Sequence, residues 1–186
     1  YYINKLIEIR NIMVTRYTKA WPEEVIRYIN ENITADFESG TLFRNGVKIE
    51  GSLVNPKPRQ YLAFGCRING KFRILKVHQV IFYLYHGKQA KLWIDHIDGD
   101  PLNNAISNLR EVTKEQNQAN MIPRKKTKSG YKGVHPRVDN KGFWATIRCN
   151  GKSHYLGQFN TAEEAAKAYD AASLELHGKY GHRNFS

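Results

Sequence analysis

Cysteine is nearly absent from this chain, with two in 186 residues. Cys66 and Cys149 lie far apart and form no CxxC spacing. This excludes a disulfide framework and a cysteine zinc site, and fits a reducing compartment. Long apolar runs are missing too. None approaches the roughly 20 residues a membrane helix needs, so no membrane role is expected. The opening YYINKLIEIRNIMV carries both charge signs, unlike a signal peptide. Acids are scarce: 17 Asp and Glu stand against 29 Lys and Arg, a net charge of +12. Such a balance points to nucleic acid or an anionic membrane surface. Hydrophobic residues make up 41% and aromatic ones 12%, enough for a packed core in one large or two small domains.

The charge is unevenly spread. Residues 1–91 hold 15 basic and 7 acidic residues, 92–121 hold 2 and 5, and 122–186 hold 12 and 5. An acidic island thus sits between two basic wings. The wings can neutralise phosphates while the island holds a cation.

Apolar residues hint at a helix before residue 20. Trp21-Pro22-Glu23-Glu24 reads as a helix start, with Val25, Ile26, Ile29 and Ile33 as its apolar face. Strands are expected at Phe37–Arg44 and Val47–Ile49 around Asn45-Gly46, and at Tyr61–Ile68 and Lys71–Val77 around Asn69-Gly70. Asn-Gly between alternating segments is a strong hairpin signal. The second hairpin carries Arg67, Lys71, Arg73 and Lys76, read as basic side chains on one face that could follow a duplex backbone. Asn55–Arg59 is a basic loop. His78–His86 reads as a short helix with Val80, Ile81, Leu84 and Tyr85 apolar, and His78 as structural.

In the island, Lys91–Ile94 leads as a strand into Asp95-His96. A turn-rich loop, Asp98–Asn104, follows. Asn108–Val112 is a second strand, and Thr113 with Gln116 makes a capping box for a helix. Hydrolysis of a phosphodiester needs a base for water, a metal for the phosphate charge and a group that orients the base. Adjacent strand residues point to opposite sides. One of Asp95 and His96 can therefore bind a metal while the other faces water. Asn117 on the helix could bring its amide oxygen towards Asp95, and such oxygen ligands suit Mg²⁺. A calcium loop is disfavoured because Asp98-Gly99-Asp100 lacks EF-hand spacing.

The run DHIDGDPLNNAISNLREVTKEQN closely resembles the HNH endonuclease motif, in the homing branch where Asn replaces the final His. The resemblance implies a ββα-metal fold that nicks or cuts DNA with one divalent ion, Mg²⁺ or Mn²⁺ in its place. It implies His96 as general base, Asp95 and Asn117 as metal ligands, and Asn108 as the residue that ties the loop and orients His96.

Pro123–Gly130 is a linker with Arg124, Lys125, Lys126 and Lys128. Beyond it, strands are expected at Tyr131–Arg137, Phe143–Asn150 and Lys152–Phe159. A helix capped by Thr161 and Glu164 runs to His177, with Ala165, Ala168, Tyr169, Ala172 and Leu176 apolar. YKGV, WATIR, YLGQF, TAEEAAKAYD and the closing NF resemble the APETALA/ethylene-response-factor DNA-binding domain. The resemblance implies a sheet laid in the major groove, with Lys132, His135, Arg137, Arg148 and Tyr155 towards DNA. His135 and Ser153 stand where plant members usually carry Arg, and Tyr155 where they carry Trp.

The expected fold is α+β. A hairpin-rich region leads into the ββα-metal core (92–121), together making a nuclease domain over 1–121. A basic linker (122–130) follows, then a three-stranded antiparallel sheet packed on one helix (131–186). The expected function is a site-specific homing endonuclease, nickase or double-strand cutter, acting as a monomer on double-stranded DNA. No protein partner is implied. Its setting is the cytoplasm of a bacterial or phage-infected cell. The alternative is a DNA-binding transcription regulator with an inactive nuclease module. Removing 122–186 is expected to weaken binding and loosen site choice while residual cutting persists.

Overall fold

The computed structural model of the chain describes residues 20–55, 60–121, 128–139 and 141–185. The helix hinted at before residue 20, the tip of the Asn55–Arg59 loop, and Arg124, Lys125 and Lys126 lie outside them. The architecture is α+β, with three three-stranded antiparallel sheets and one two-stranded sheet among the described residues. No described helix is long and apolar enough to cross a membrane. The chain divides into two compact units. One takes residues up to 54, 61–94 and 102–111; the other takes 55–60, 95–101 and 112 onward.

In the first unit Pro22 occupies the N-cap of α1 (Glu23–Asn32), with Glu23 and Glu24 in the first turn. Acids there meet the positive end of the helix dipole. Val25 and Ile29 are buried. Ile33 is buried too, but it opens β1 (Ile33–Asp36) rather than extending the helix face. The strand expected over Phe37–Arg44 is cut short. The Asp36 carboxylate accepts hydrogen bonds from Glu38 N, Ser39 N and Ser39 Oγ, an Asx turn that stops β1. The chain resumes as β2 (Thr41–Arg44), which pairs with β1 and with β3 (Val47–Lys48). Asn45 and Gly46 both take positive φ, 49° and 81°, as a tight primed turn requires.

A second sheet joins β4 (Ser52–Val54), β5 (Tyr61–Ile68) and β6 (Lys71–Lys76). Its register sets Arg67 opposite Phe72 and Ala63 opposite Lys76, but Cys66 opposite Arg73 and Ile68 opposite Lys71. Opposed residues share a face and neighbours alternate. The four cations therefore split two and two, against the single basic face expected from the sequence. The strand then runs directly into α2 (Val77–His86), which Gly87 ends at φ 65°. Val77, His78, Val80, Ile81, Phe82 and Tyr83 are buried there. Tyr85, expected in the apolar set, is exposed and meets Phe37 edge-on. Val77, Val80, Ile81, Phe82 and Tyr83 pack with Ile29, Ile33, Leu42, Phe64 and Leu75 into one core.

β7 (Trp93–His96) and β8 (Leu109–Val112) form the two-stranded sheet, and both run from one unit into the other. A single 3₁₀ turn, Ile106–Asn108, replaces the expected start of β8. In the second unit lies α3 (Lys114–Asn120), whose Thr113–Gln116 capping box is formed.

The C-terminal sheet is β9 (Val134–Pro136), β10 (Phe143–Cys149) and β11 (Lys152–Phe159), with β10 central. α4 (Ala162–His177) carries the expected Thr161–Glu164 box. Its buried residues are Ala162, Ala165, Ala166, Tyr169 and Ser173. Leu176, expected on that face, is 39% exposed. Small side chains here let the helix lie close on the sheet. Gly133 shows how close: a Cβ there would fall 2.1 Å from Tyr169 Cδ2 and 2.6 Å from Thr146 O, at φ +74°. The closing Asn184 acts as a clasp. Its side chain accepts from Lys132 N at 2.7 Å and donates to Lys132 O at 3.2 Å and Asp170 Oδ1 at 3.1 Å.

Candidate active site

Asp95 and His96 stand at the end of β7, only 6% and 5% exposed. A carboxylate so deeply placed needs hydrogen-bonding partners. One comes from α3, the helix expected to approach Asp95. The Nδ2 of Asn120 lies 3.2 and 3.0 Å from the two Asp95 carboxylate oxygens. It also lies 2.8 Å from His96 O and 3.4 Å from Ile97 O. All four neighbours are acceptors, so chemistry fixes which end of the amide faces them: the NH₂ group must. Asn120 thus holds the carboxylate and the strand end together, as a donor rather than a metal ligand.

Asn117 lies three residues earlier on α3, half-buried, with its own N–H bonded to Thr113 O. Residues three apart share a helix face, so Asn117 and Asn120 are disposed to the same side. Asn108 is buried and donates from Nδ2 to Asn103 O at 2.8 Å. That bond ties the residue before β8 to the loop. Asp98 and Gly99 serve as turn formers: Asp98 Oδ1 accepts from Asp100 N, and His96 O from Gly99 N. The acid Glu111 is spent on structure, accepting from Lys91 N and Leu92 N. Among the described residues no three His, Cys, Asp or Glu side chains gather as a metal cluster. A carboxylate and an amide oxygen are both hard donors, of the kind a divalent cation such as Mg²⁺ or Mn²⁺ takes.

The expected DNA-facing cations separate by environment. Arg67, Lys71, Lys128 and Arg148 are exposed. Arg73 is paired with Glu24 at 3.5 Å. Lys76 lies over the Tyr61 ring at 4.9 Å, and burial pushes its ammonium below the usual lysine range. On the face of the C-terminal sheet away from the buried Ala145 and Ile147, His135 stacks on Trp144 at 4.3 Å, with Tyr155 beyond at 6.5 Å. Arg137 gives Nε and Nη2 to Asp139 at 3.0 and 2.7 Å and Nη1 to Gln158, so most of its fork is already used. Burial lowers the His135 ring below the usual histidine range, favouring the neutral form.

Lys132 departs from its expected place. Its Nζ donates to Ala119 O at 2.6 Å, at the end of α3, and burial pushes its pKa down to about 8. An ammonium so placed has a donor committed to a backbone carbonyl. Asn120 and Trp144 were the residues missed from the sequence. Asn120 hid in the run NQAN, three residues beyond the expected ligand. Trp144 lay inside WATIR, where strand alternation with the buried Ala145 and Ile147 places it outward.

Comparison with known proteins gives the family. The HNH endonuclease family matches residues 75–119, from β6 almost to the end of α3. Protein 3.8 of Escherichia phage T7 is 36% identical over 88 residues, covering 47% of this chain and 72% of that protein. The chain belongs to the HNH endonuclease family. An uncharacterized HNH endonuclease, L560 of Acanthamoeba polyphaga mimivirus, is 35% identical over 112 residues, or 59% of this HNH chain. The chain spans only 57% of that relative's length. The ethylene-responsive transcription factor ERF070 of Arabidopsis thaliana is 44% identical over 75 residues, 36% of this chain and 45% of that protein. That similarity accords with the C-terminal resemblance.

Proposed function

We propose that this chain is a metal-dependent endonuclease of the homing type that hydrolyses phosphodiester bonds in double-stranded DNA. The observation that carries the reading is the buried Asp95–His96 pair, with a helix amide clamped on the carboxylate and a second amide, Asn117, on the same helix face. His96 takes the proton from the attacking water. Asp95 and Asn117 would hold one Mg²⁺ or Mn²⁺. Bound there, the ion would neutralise charge on the phosphate and leaving oxygen. Asn120 keeps the Asp95 carboxylate in one orientation, and Asn108 keeps the loop beside the strand closed.

Residues 1–121 form the nuclease domain in this reading, 122–130 a basic tether, and 131–186 the part that selects the site. The outward Trp144, Arg148 and Tyr155 contact the groove, and Arg67, Lys71 and Lys128 meet phosphates. The protein acts as a monomer on DNA in the cytoplasm of a bacterial or phage-infected cell; a phage relative suits that setting.

The test is cleavage of a random duplex library with Mg²⁺, mapping both strands to distinguish nicks from double-strand cuts. His96→Ala is expected to abolish cutting while DNA affinity stays within about twofold. Full cutting by that variant would sink the assignment. Tight, salt-sensitive binding with no cutting under Mg²⁺ or Mn²⁺ would favour the transcription-regulator reading instead.

A further inference from the structure

α3 has only seven residues, and Asn120 is its last. A helix end of that length frays unless its final carbonyls are held. Two groups from the C-terminal segment hold one of them. Ala119 O accepts from Lys132 Nζ at 2.6 Å and from His182 N at 3.1 Å. Lys132 is fixed in turn, since Asn184 bonds both its N–H and its carbonyl. His182 O accepts from the buried Ser173 Oγ of α4 at 3.0 Å. The cation also sits at the negative end of the α3 dipole. One residue further along α3, the Asn120 amide grips Asp95.

We propose that Lys132 is a positioning residue of the nuclease: its ammonium, with the His182 N–H, fixes the last turn of α3 and so the Asn120 amide that orients Asp95. The C-terminal segment is then part of the cutting machinery as well as the proposed groove binder. This rests on the nuclease reading for its kinetic consequence, though the clamp itself can be tested apart from it. The groups facing the ammonium besides the carbonyl are His177 and His182, both held below the usual histidine range, first by burial and then by Lys132's own charge. No carboxylate is paired with it in the described contacts, so its role is to hold a carbonyl.

The experiment uses full-length Lys132→Met, which keeps the aliphatic stem and removes the donor. Three quantities are read. Hydrogen exchange across Gln118–Met121 is expected to quicken tenfold or more, without metal or DNA present. The cutting rate at saturating DNA and Mg²⁺ should fall about ten- to a hundredfold, the usual consequence of losing a group behind a metal ligand. The Kd for DNA should stay within about threefold, and the Tm should not fall, because a buried charge leaves with the donor. Unchanged exchange in α3 would overturn the clamp. A raised Kd with an unchanged saturated rate would return Lys132 to the DNA contacts. A wild-type protein that never cuts would defeat the nuclease reading, while faster exchange in the variant would still support the clamp.

Discussion

Replacing Asn120 with Ala removes a single NH₂ group that serves a buried carboxylate and two strand carbonyls. Two hydrogens cannot serve four acceptors equally, so the shorter contacts dominate: Asp95 Oδ2 at 3.0 Å and His96 O at 2.8 Å. The first is charge-assisted, and such bonds contribute roughly 1.5–3 kcal/mol; the second is neutral, at about 0.5–1.5 kcal/mol. Water entering the space left behind recovers part of this. The expected destabilisation is therefore about 2–4 kcal/mol, measured by urea unfolding at pH 7. The functional effect is separate. An Asp95 carboxylate free to turn should bind Mg²⁺ or Mn²⁺ about ten- to a hundredfold more weakly, read by calorimetry under conditions where the variant is still folded. A variant within about 0.5 kcal/mol of wild type that keeps full metal affinity would show that Asn120 does not hold the carboxylate.

Gly133→Ala should cost about 2–4 kcal/mol in chemical denaturation, since the new Cβ would meet the Tyr169 ring and Thr146 O at a positive φ; a loss below about 1 kcal/mol would mean the α4–sheet spacing is looser than described. Stability should also depend on Lys132 between pH 8 and 10. Burial pushes its folded pKa down to about 8, against an ordinary lysine value of 10.5, so the unfolded chain holds the proton longer. Wild type should then gain on Lys132→Met as pH rises through that window, by up to about 3 kcal/mol. A gap between the two that ignores pH would refute the burial of the ammonium.

Local chemistry was the most legible part of the sequence. The Asn-Gly pairs at 45–46 and 69–70 both make hairpin turns with positive φ at both residues. The Thr113–Gln116 and Thr161–Glu164 boxes both form. Each signal depends on residues within a few positions of one another, where backbone stereochemistry decides. The misses share a different origin. Arg67, Lys71, Arg73 and Lys76 looked like one basic face because a charge count ignores which residue of a strand pairs with which. Ile33 carried on the helical period of α1, yet the sheet claimed it. Leu176 fitted the helical period of α4, yet it is exposed while Ser173 before it is buried.

Lys132 shows why the functional part of such a reading is harder than the fold. By sequence it belongs to a basic DNA-binding motif, and nothing nearby opposes that. Its destination depends on Ala119, thirteen residues earlier, and on Asn184, fifty-two residues later. Cations on a DNA-binding chain serve two ends that sequence cannot separate: neutralising phosphates outside, or holding carbonyls within. Burial separates them. Arg148 stays exposed and can answer to salt, while Lys132 is desolvated and its contact with Ala119 should be nearly insensitive to it. The same distinction applies to the asparagines of the island. Asn108 and Asn120 are buried and bond through their NH₂ groups, which makes them fasteners. Asn117 is half-buried on the face shared with Asn120, and an amide oxygen that is to meet an ion needs that exposure.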